Sequence, residues 1–389
     1  MKGSVRPTRA EILLDNLRHN IKEVLRIKHK NSKFCAVVKA DAYGHGAVEV
    51  SRIALSMGAD YLAVAFLDEA LVLRKEGIEA PILILGFTPE DQFDKIIEND
   101  ITQTVFSFEL AKKLSLKARE MGKSAKVHIK LDTGMGRIGF LAETSSLPEI
   151  EEIFNLPNIE VEGIFTHFAK ADEKDKGFTF EQFDRFMTVV GKLENKGYKI
   201  PIKHAANSAA IIDLPETHLD MVRAGIMLYG CYPSDEVDKE KVDLKPVMCF
   251  KTKIAHLKEL EKGKPISYGG TFITQRKSKI ATLPVGYADG YFRLLSSKGE
   301  VVVRGKKAKV VGRVCMDQCM IDVTDLEEIK VGDDVELFGE GRENGVTADE
   351  VAKMVGTISY EVLCAVSKRV PRVYVENGNI VKVKNYLTN

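Results

Sequence analysis

Between residues 34 and 229 two kinds of hydrophobic pattern alternate. Short apolar, β-branched runs recur at Phe34–Lys39, Tyr61–Ala65, Ile82–Gly86, Ile101–Phe106, Lys126–Leu131, Val161–His167, Ile202–Ala206 and Met221–Tyr229. Runs of this length and make-up read as buried strands. Between several of them lie amphipathic stretches of helical period, at Leu67–Gly77, Glu109–Gly122 and Glu181–Gly197. The last carries Phe183, Phe186, Val189, Val190 and Leu193 on one face, and each of the three stops at glycine, as helix C-termini commonly do. Strands that alternate with helices form a parallel sheet. Eight such units in this length predict a closed (β/α)8 barrel of the TIM type rather than an open doubly wound sheet.

After Tyr229 the texture changes. The charged stretch Ser234–Lys245, with "DEVDKEKVD" inside it, reads as a linker or surface crossing. Beyond Val247 short strands dominate, at Ile280–Pro284, Glu300–Arg304, Lys309–Arg313, Gln318–Val323, Asp334–Phe338 and Arg372–Val375. Turn residues such as Val331–Asp333 and Asn377–Asn379 separate them, with one helical patch at Ala348–Val355. The pattern predicts a barrel over residues 1–240 and a mostly-β C-terminal domain over 241–389. The extreme N-terminus, ahead of the first barrel helix, is free to pair with the second domain.

Composition removes several functional classes. With 44% hydrophobic residues in 389, the chain can bury a large core. Lys plus Arg number 57 against 56 acidic residues, so the basic excess of a nucleic-acid binder is missing. The local patch Arg304–Lys309 reads as a solvated loop or strand edge. The stretch "MKGSVRPTRAEI" has no apolar core of a secretory signal, and no run approaches the roughly 18 apolar residues of a membrane span. Six cysteines scattered through a long chain predict free thiols in a reducing cytoplasm. Cys315 and Cys319 lie four apart, but no histidine or second cysteine pair supports a zinc site, so no metal is expected.

The polar residues that interrupt the strand pattern gather at strand ends. Lys39 ends the first strand and Lys130 the fifth, with Asp132 and Arg137 just beyond. His167 ends the sixth, Asn207 and Ser208 follow the seventh, and Arg223 lies within the eighth. In a barrel of this type the C-terminal face of the strands carries the active site. Lys39 is the sharpest of these, an amine after the five apolar residues "FCAVV". Burial disfavours the ammonium, and a neutral amine forms a Schiff base with an aldehyde. The plainer alternative is a lysine that snorkels to the barrel mouth. Gly134, Gly136 and Gly139 spell G-x-G-x-x-G, a dinucleotide fingerprint. The adjoining Arg137, and the lack of a helical pattern opening there, favour a tight loop presenting that arginine.

The motif "AVVKADAYGHG" at Ala36–Gly46 resembles the cofactor-lysine motif of alanine racemases. Further matches follow in family order: "KLDTGMGRIGF" at Lys130–Phe140, "GIFTHFAKAD" at Gly163–Asp172, "HAANSAA" at His204–Ala210, "VRAGIMLYG" at Val222–Gly230, "ISYGGTF" at Ile266–Phe272, "LPVGYADGY" at Leu283–Tyr291 and "GRVCMDQCMIDVTD" at Gly312–Asp325. They span both domains; Ala205 and Phe292 depart from the family's commoner Cys and Pro without touching a catalytic position. The resemblance implies pyridoxal 5′-phosphate (PLP) held by Lys39, and an amino acid, alanine by default, bound as an external aldimine. Racemisation then needs two bases, Lys39 on one face and Tyr268 on the other. A free phenol titrates near ~10, so Tyr268 must be activated by its neighbours. In similar enzymes it comes from the partner of a head-to-tail homodimer.

The resemblance assigns further roles. Arg223 faces the pyridine nitrogen; a guanidinium cannot accept a proton, so that nitrogen stays neutral and the ring withdraws less charge. Arg137 binds the substrate carboxylate with its planar fork, helped by the backbone N–H of Met316. Lys130 matches a position often carbamylated by carbon dioxide, an anion that would hold Arg137. His167 stacks on or bonds near the ring. Tyr43, Ser208, Tyr360 and the backbone of Gly225 and Ile226 hold the phosphate, with Asn207 beside them. Tyr287, Cys315 and Asp317 line the entrance or neighbour Tyr268; for Cys315 and Asp317 a purely structural role is the alternative. Two other readings stand beside this one. A PLP-dependent decarboxylase shares the architecture, but the Arg223 and Tyr268 motifs speak against it. A non-catalytic PLP-binding protein resembles the barrel alone. The expected use is D-alanine supply for peptidoglycan.

Overall fold

Eight parallel strands circle the first domain: Lys33–Val37, Tyr61–Val64, Ile82–Ile84, Thr102–Val105, Ala125–Asp132, Ile159–Phe165, Ile202–His204 and Met221–Ala224. Parallel ladders join each to the next up to Ile202–His204, and join Met221–Ala224 back to Lys33–Val37. Single backbone bonds cross the last gap. Asp220 N–H donates to Lys203 C=O at 3.0 Å and Arg223 N–H to Ala206 C=O at 3.1 Å. The structure, a computed structural model, describes residues 6–341 and 345–388. The first five residues, part of the stretch read above for a leader, lie outside it.

All eight predicted runs are strands, but four of them end differently around the polar residues singled out above. Met221–Ala224 stops before Gly225, whose φ of −112° and ψ of −103° break the extended path, and a 3-10 turn Ile226–Tyr229 follows. Lys39 does not end its strand: Val38 N–H still pairs with Ala63 C=O at 2.9 Å, and the chain then leaves the sheet. Lys130 sits inside Ala125–Asp132 rather than at its end, and His167 lies two residues past Phe165. Helices Leu67–Lys75, Phe108–Glu120 and Gly177–Asn195 occupy the amphipathic stretches. Phe186, Val190 and Leu193 on the last are wholly buried, each apolar side chain contributing about 1.5–3 kcal/mol by leaving water.

The second domain is built on a ten-stranded, mostly antiparallel sheet. The strand Arg9–Leu13 joins it, antiparallel to Met248–Lys253 and parallel to Arg372–Glu376. By hydrogen bonding, then, the N-terminal strand belongs to the second domain, and helix Leu14–Ile27 carries the chain into the barrel. Three strands lacked a sequence signal: Met248–Lys253, His256–Leu260 and Asn379–Lys384. So did the short helix Ser359–Ala365. A small hairpin, Pro265–Ile266 with Phe272–Ile273, frames Tyr268. All six cysteines are free thiols. Among the described residues no helix is long and apolar enough to cross a membrane.

Candidate active site

Lys39 opens a turn of unusual hand. Ala40, Asp41, Ala42 and Tyr43 all have φ between 52° and 55°, followed by Gly44 at 83° and Gly46 at 98°. Four successive non-glycine residues in the left-handed region cost roughly 1–2 kcal/mol each, and such strain persists only where the surroundings over-determine it. Glu69, at the start of helix Leu67–Lys75, accepts Ala40 N–H at 2.6 Å and Ala65 N–H at 2.7 Å. Asp41 accepts Ala47 N–H at 2.8 Å, capping helix Ala47–Ser56. The turn sets the Lys39 amine at the barrel mouth. Burial lowers its pKa, Arg137 lowers it further, and Glu69 opposes them.

Arg223 is 4% exposed and points into the barrel. Its Nη1 donates to His204 Nδ1 at 2.8 Å; its Nη2 donates to Thr166 C=O at 2.9 Å, Ala205 C=O at 3.0 Å and, at 3.3 Å, His167 Nδ1. Arginine only donates, so both imidazoles accept at Nδ1 and carry their protons on Nε2. The His204 proton then goes to His128 Nδ1 at 2.8 Å, leaving His128 Nε2–H facing Glu162 Oε2 across a longer 3.4 Å. Tyr61 also donates to Glu162, and the Thr102 hydroxyl lies 3.3 Å from it. Burial lowers the pKa of His128, His167 and His204 and the Arg223 charge adds to it, with Glu162 opposing at His128, so the rings favour the neutral form. Burial pushes Glu162 up, but the nearby His128 ring and the bond from Tyr61 overcome this and hold it at about 2. A partly exposed carboxylate thus balances the guanidinium through two neutral rings. Burial lowers Arg223 only to about 10, so it stays cationic.

Beside Arg223 the mouth offers anion-binding groups. The Ser208 hydroxyl, at the start of helix Ser208–Asp213, accepts Gly225 N–H at 3.0 Å, and Asn207 caps that helix through Ala210 N–H at 3.1 Å. A Cβ on Gly225 would lie 2.9 Å from the Tyr43 hydroxyl, so only glycine lets this backbone approach it. Ile226, wholly buried, begins the 3-10 turn that continues from Gly225. The Tyr43 ring packs on Tyr229 at 4.7 Å and lies 6.1 Å from Tyr360, which helix Ser359–Ala365 brings over from the second domain.

Lys130 is buried, its Nζ donating to Leu131 C=O at 2.9 Å and lying 5.1 Å from the Phe165 ring. Burial, with the Arg223 charge, lowers its pKa to about 7. Arg137 stands exposed on the loop that follows. The glycine triplet has no dinucleotide-type helix after it. Gly134, Gly136 and Gly139 all have positive φ, and the loop curls over Asp132, which accepts Gly134 N–H at 2.9 Å and Gly136 N–H at 3.1 Å.

The remaining predicted residues form a second cluster, on the β domain. Tyr268 is 71% exposed. Ser267, at φ 66°, presents it, and the Ser267 hydroxyl donates to Arg313 C=O at 2.7 Å and lies 3.6 Å from Cys315 Sγ. Tyr287 N–H donates to Cys315 C=O at 3.0 Å and Ala288 N–H to Met316 C=O at 3.1 Å, so Tyr287, Cys315 and Met316 share one patch. Asp317 pairs with Arg369 at 2.7 Å. Within one chain, therefore, two clusters exist: a partly buried amine among cations and anion-binding groups, and an exposed phenol. Sequence reasoning missed Glu69, His128, Glu162, His204 and Tyr229. The only signal for His128 was a polar residue inside the apolar strand "KVHIKL".

The donor set fits PLP. An amine whose charge burial disfavours suits an aldehyde, and the hydroxyls of Tyr43, Ser208 and Tyr360 suit a phosphate. Among the described residues the bonds of Arg223 use only its terminal nitrogens, leaving Nε as a donor for a ring.

The chain matches the family "Alanine racemase, N-terminal domain" over residues 12–233 and "Alanine racemase, C-terminal domain" over 247–374. It is 54% identical over 384 residues to the alanine racemase of Clostridium tetani, covering 98% of this chain and 99% of that one. It is 53% identical to alanine racemase 2 of Caldanaerobacter subterraneus over the full length of both. The solved alanine racemase of Clostridium difficile superposes with a TM-score of 0.95 at 49% identity, covering 99% of this chain and 100% of that one. The chain thus belongs to the alanine racemases, PLP-dependent isomerases that interconvert L- and D-alanine.

Proposed function

We propose that this chain moves the Cα proton of alanine between two bases on opposite faces, Lys39 of its own barrel and Tyr268 of a partner chain in a head-to-tail homodimer. The observation that carries this reading is the division of the site: Lys39 lies partly buried at the barrel mouth, while Tyr268 stands 71% exposed on the other domain. Bound PLP supplies an aldehyde for the amine and a conjugated ring that takes up electron density from Cα. Lys39 holds the cofactor and takes or returns a proton at Nζ. Tyr268 does the same at Oη from the opposite face. Arg223, a donor unable to accept a proton, keeps the ring nitrogen neutral and so restrains side reactions. His167 flanks the ring. Tyr43, Ser208, Tyr360 and the backbone N–H groups of Gly225 and Ile226, with Asn207 behind them, hold the phosphate. Arg137 grips the substrate carboxylate with the N–H of Met316, and Tyr287, Cys315 and Asp317 shape the partner's approach. The enzyme works in the cytoplasm and supplies D-alanine for peptidoglycan. The test is a chiral assay of purified protein on L-alanine, with and without added PLP. D-alanine should rise to parity with L-alanine; release of carbon dioxide instead would overturn the reading.

Lys130 carries a second part of the proposal. Only a neutral amine combines with carbon dioxide, giving a carbamate and a proton. With a pKa near 7 the neutral fraction of Lys130 grows as pH rises through that value. As a cation it repels Arg137; as a carbamate it holds it. Protein equilibrated with 13C-bicarbonate should show a carbamate carbonyl resonance that grows across this pH range and is missing from Lys130→Arg. A resonance that survives the substitution, or none at all, removes the carbamate.

A further inference from the structure

We propose that the C-terminal segment following Arg372–Glu376 keeps the cofactor-lysine turn in its left-handed form, with Tyr386 and Asp41 as positioning residues for Lys39. The inference rests on Lys39 as the lysine that carries PLP. Ala40 to Tyr43 occupy a conformation that alanine, aspartate and tyrosine do not choose unaided. The restraint comes largely from the second domain. Arg372, 1% exposed, donates from Nε to Gly44 C=O at 2.8 Å. Its other nitrogens donate to the carbonyls of Val366, Ser367 and Val370, tying the turn to the end of helix Ser359–Ala365. The Tyr374 hydroxyl lies 3.2 Å from His45 C=O and 3.0 Å from Glu49 Oε2. A Cβ on Gly46 would collide with that hydroxyl, and one on Gly44 would come within 2.6 Å of Leu363 C=O.

Tyr386 closes the arrangement. Its hydroxyl donates to Asp41 Oδ2, while Asp41 Oδ1 accepts Ala47 N–H. Asp41 is the one acidic side chain of the turn, and with both oxygens held the turn cannot unwind without breaking a charge-assisted bond. The Tyr386 ring is itself held by cations, Arg372 at 5.4 Å and Lys384 at 4.8 Å. Strand Asn379–Lys384 leads the chain to this point by pairing with Arg372–Glu376, and Lys382 bonds Glu49 at 2.7 Å. The match to the family's C-terminal domain ends at residue 374, before this segment begins.

Tyr386→Phe removes the hydroxyl and keeps the ring over its cations. Apoprotein of wild type and variant is mixed with PLP, and the visible absorption of lysine-bound PLP is followed for rate and saturation, with Lys39→Ala as blank. The variant should bind PLP about tenfold more weakly, the scale of one charge-assisted hydrogen bond, and acquire the band more slowly. The melting midpoint of its apoprotein should stay within about 3 °C of wild type. Wild-type rate and affinity in the variant would overturn the proposal. A melting point lowered by about 10 °C or more would also overturn it, making Tyr386 a general brace of the fold. A wild type without the band would remove the Lys39 assignment itself, a failure distinct from the other two.

Discussion

Lys39→Ala is expected to lower kcat/KM by roughly 10⁴-fold or more, because in the proposed scheme one side chain both anchors the cofactor and exchanges the proton. The same substitution should leave the fold in place. The amine sits where burial and Arg137 already disfavour its charge, so its removal relieves a cost rather than breaking a contact. The apoprotein should melt within a few degrees of wild type, and the visible band of lysine-bound PLP should disappear. Lys39→Arg separates charge from chemistry: a guanidinium keeps the positive charge but neither condenses with an aldehyde nor gives up a proton. It should be as inactive as the alanine variant. Turnover by Lys39→Arg within tenfold of wild type would mean that residue 39 supplies only charge, and the catalytic amine would have to be sought elsewhere.

The barrel was legible because its strands are largely apolar and buried, Tyr61–Val64 and Ile82–Ile84 throughout. The candidate site residues stood out for a different reason: polar groups such as Lys39, His167 and Arg223 interrupt or border those runs. Their local geometry was not. No propensity foretells four left-handed residues after Val38, since that conformation is held by Glu69 and by Arg372, Tyr374 and Tyr386 from far along the chain. The path from Arg223 to Glu162 was hidden for the same reason, as each of its links joins residues of different strands. The missed strands had another cause. His256–Leu260 and Asn379–Lys384 lie largely exposed and carry lysines, so they show no buried alternation to read. The helix Ser359–Ala365, with seven residues, is too short for a periodic signal, yet it delivers Tyr360 to the barrel mouth.

Chains carrying Lys39→Ala and chains carrying Tyr268→Phe should restore one another's activity when refolded together. Alone, Tyr268→Phe is expected to lose roughly 10²–10⁴-fold, the usual contribution of a positioned acid or base. In a head-to-tail pair each barrel mouth draws its lysine from one chain and its phenol from the other. A mixed pair then has one mouth with both lesions and one mouth with neither. Random reassortment of equal amounts makes about half of the pairs mixed, and half of their sites are whole, so about a quarter of wild-type activity should return. The exposed setting of Tyr268, beside Tyr287 and Met316, is the surface that such a pairing would cover. Sedimentation of the mixture should show dimers, and dilution that dissociates them should abolish the regained activity. If Tyr268 instead served the barrel of its own chain, every site in the mixture would carry one lesion, and mixing would recover nothing above the two parents.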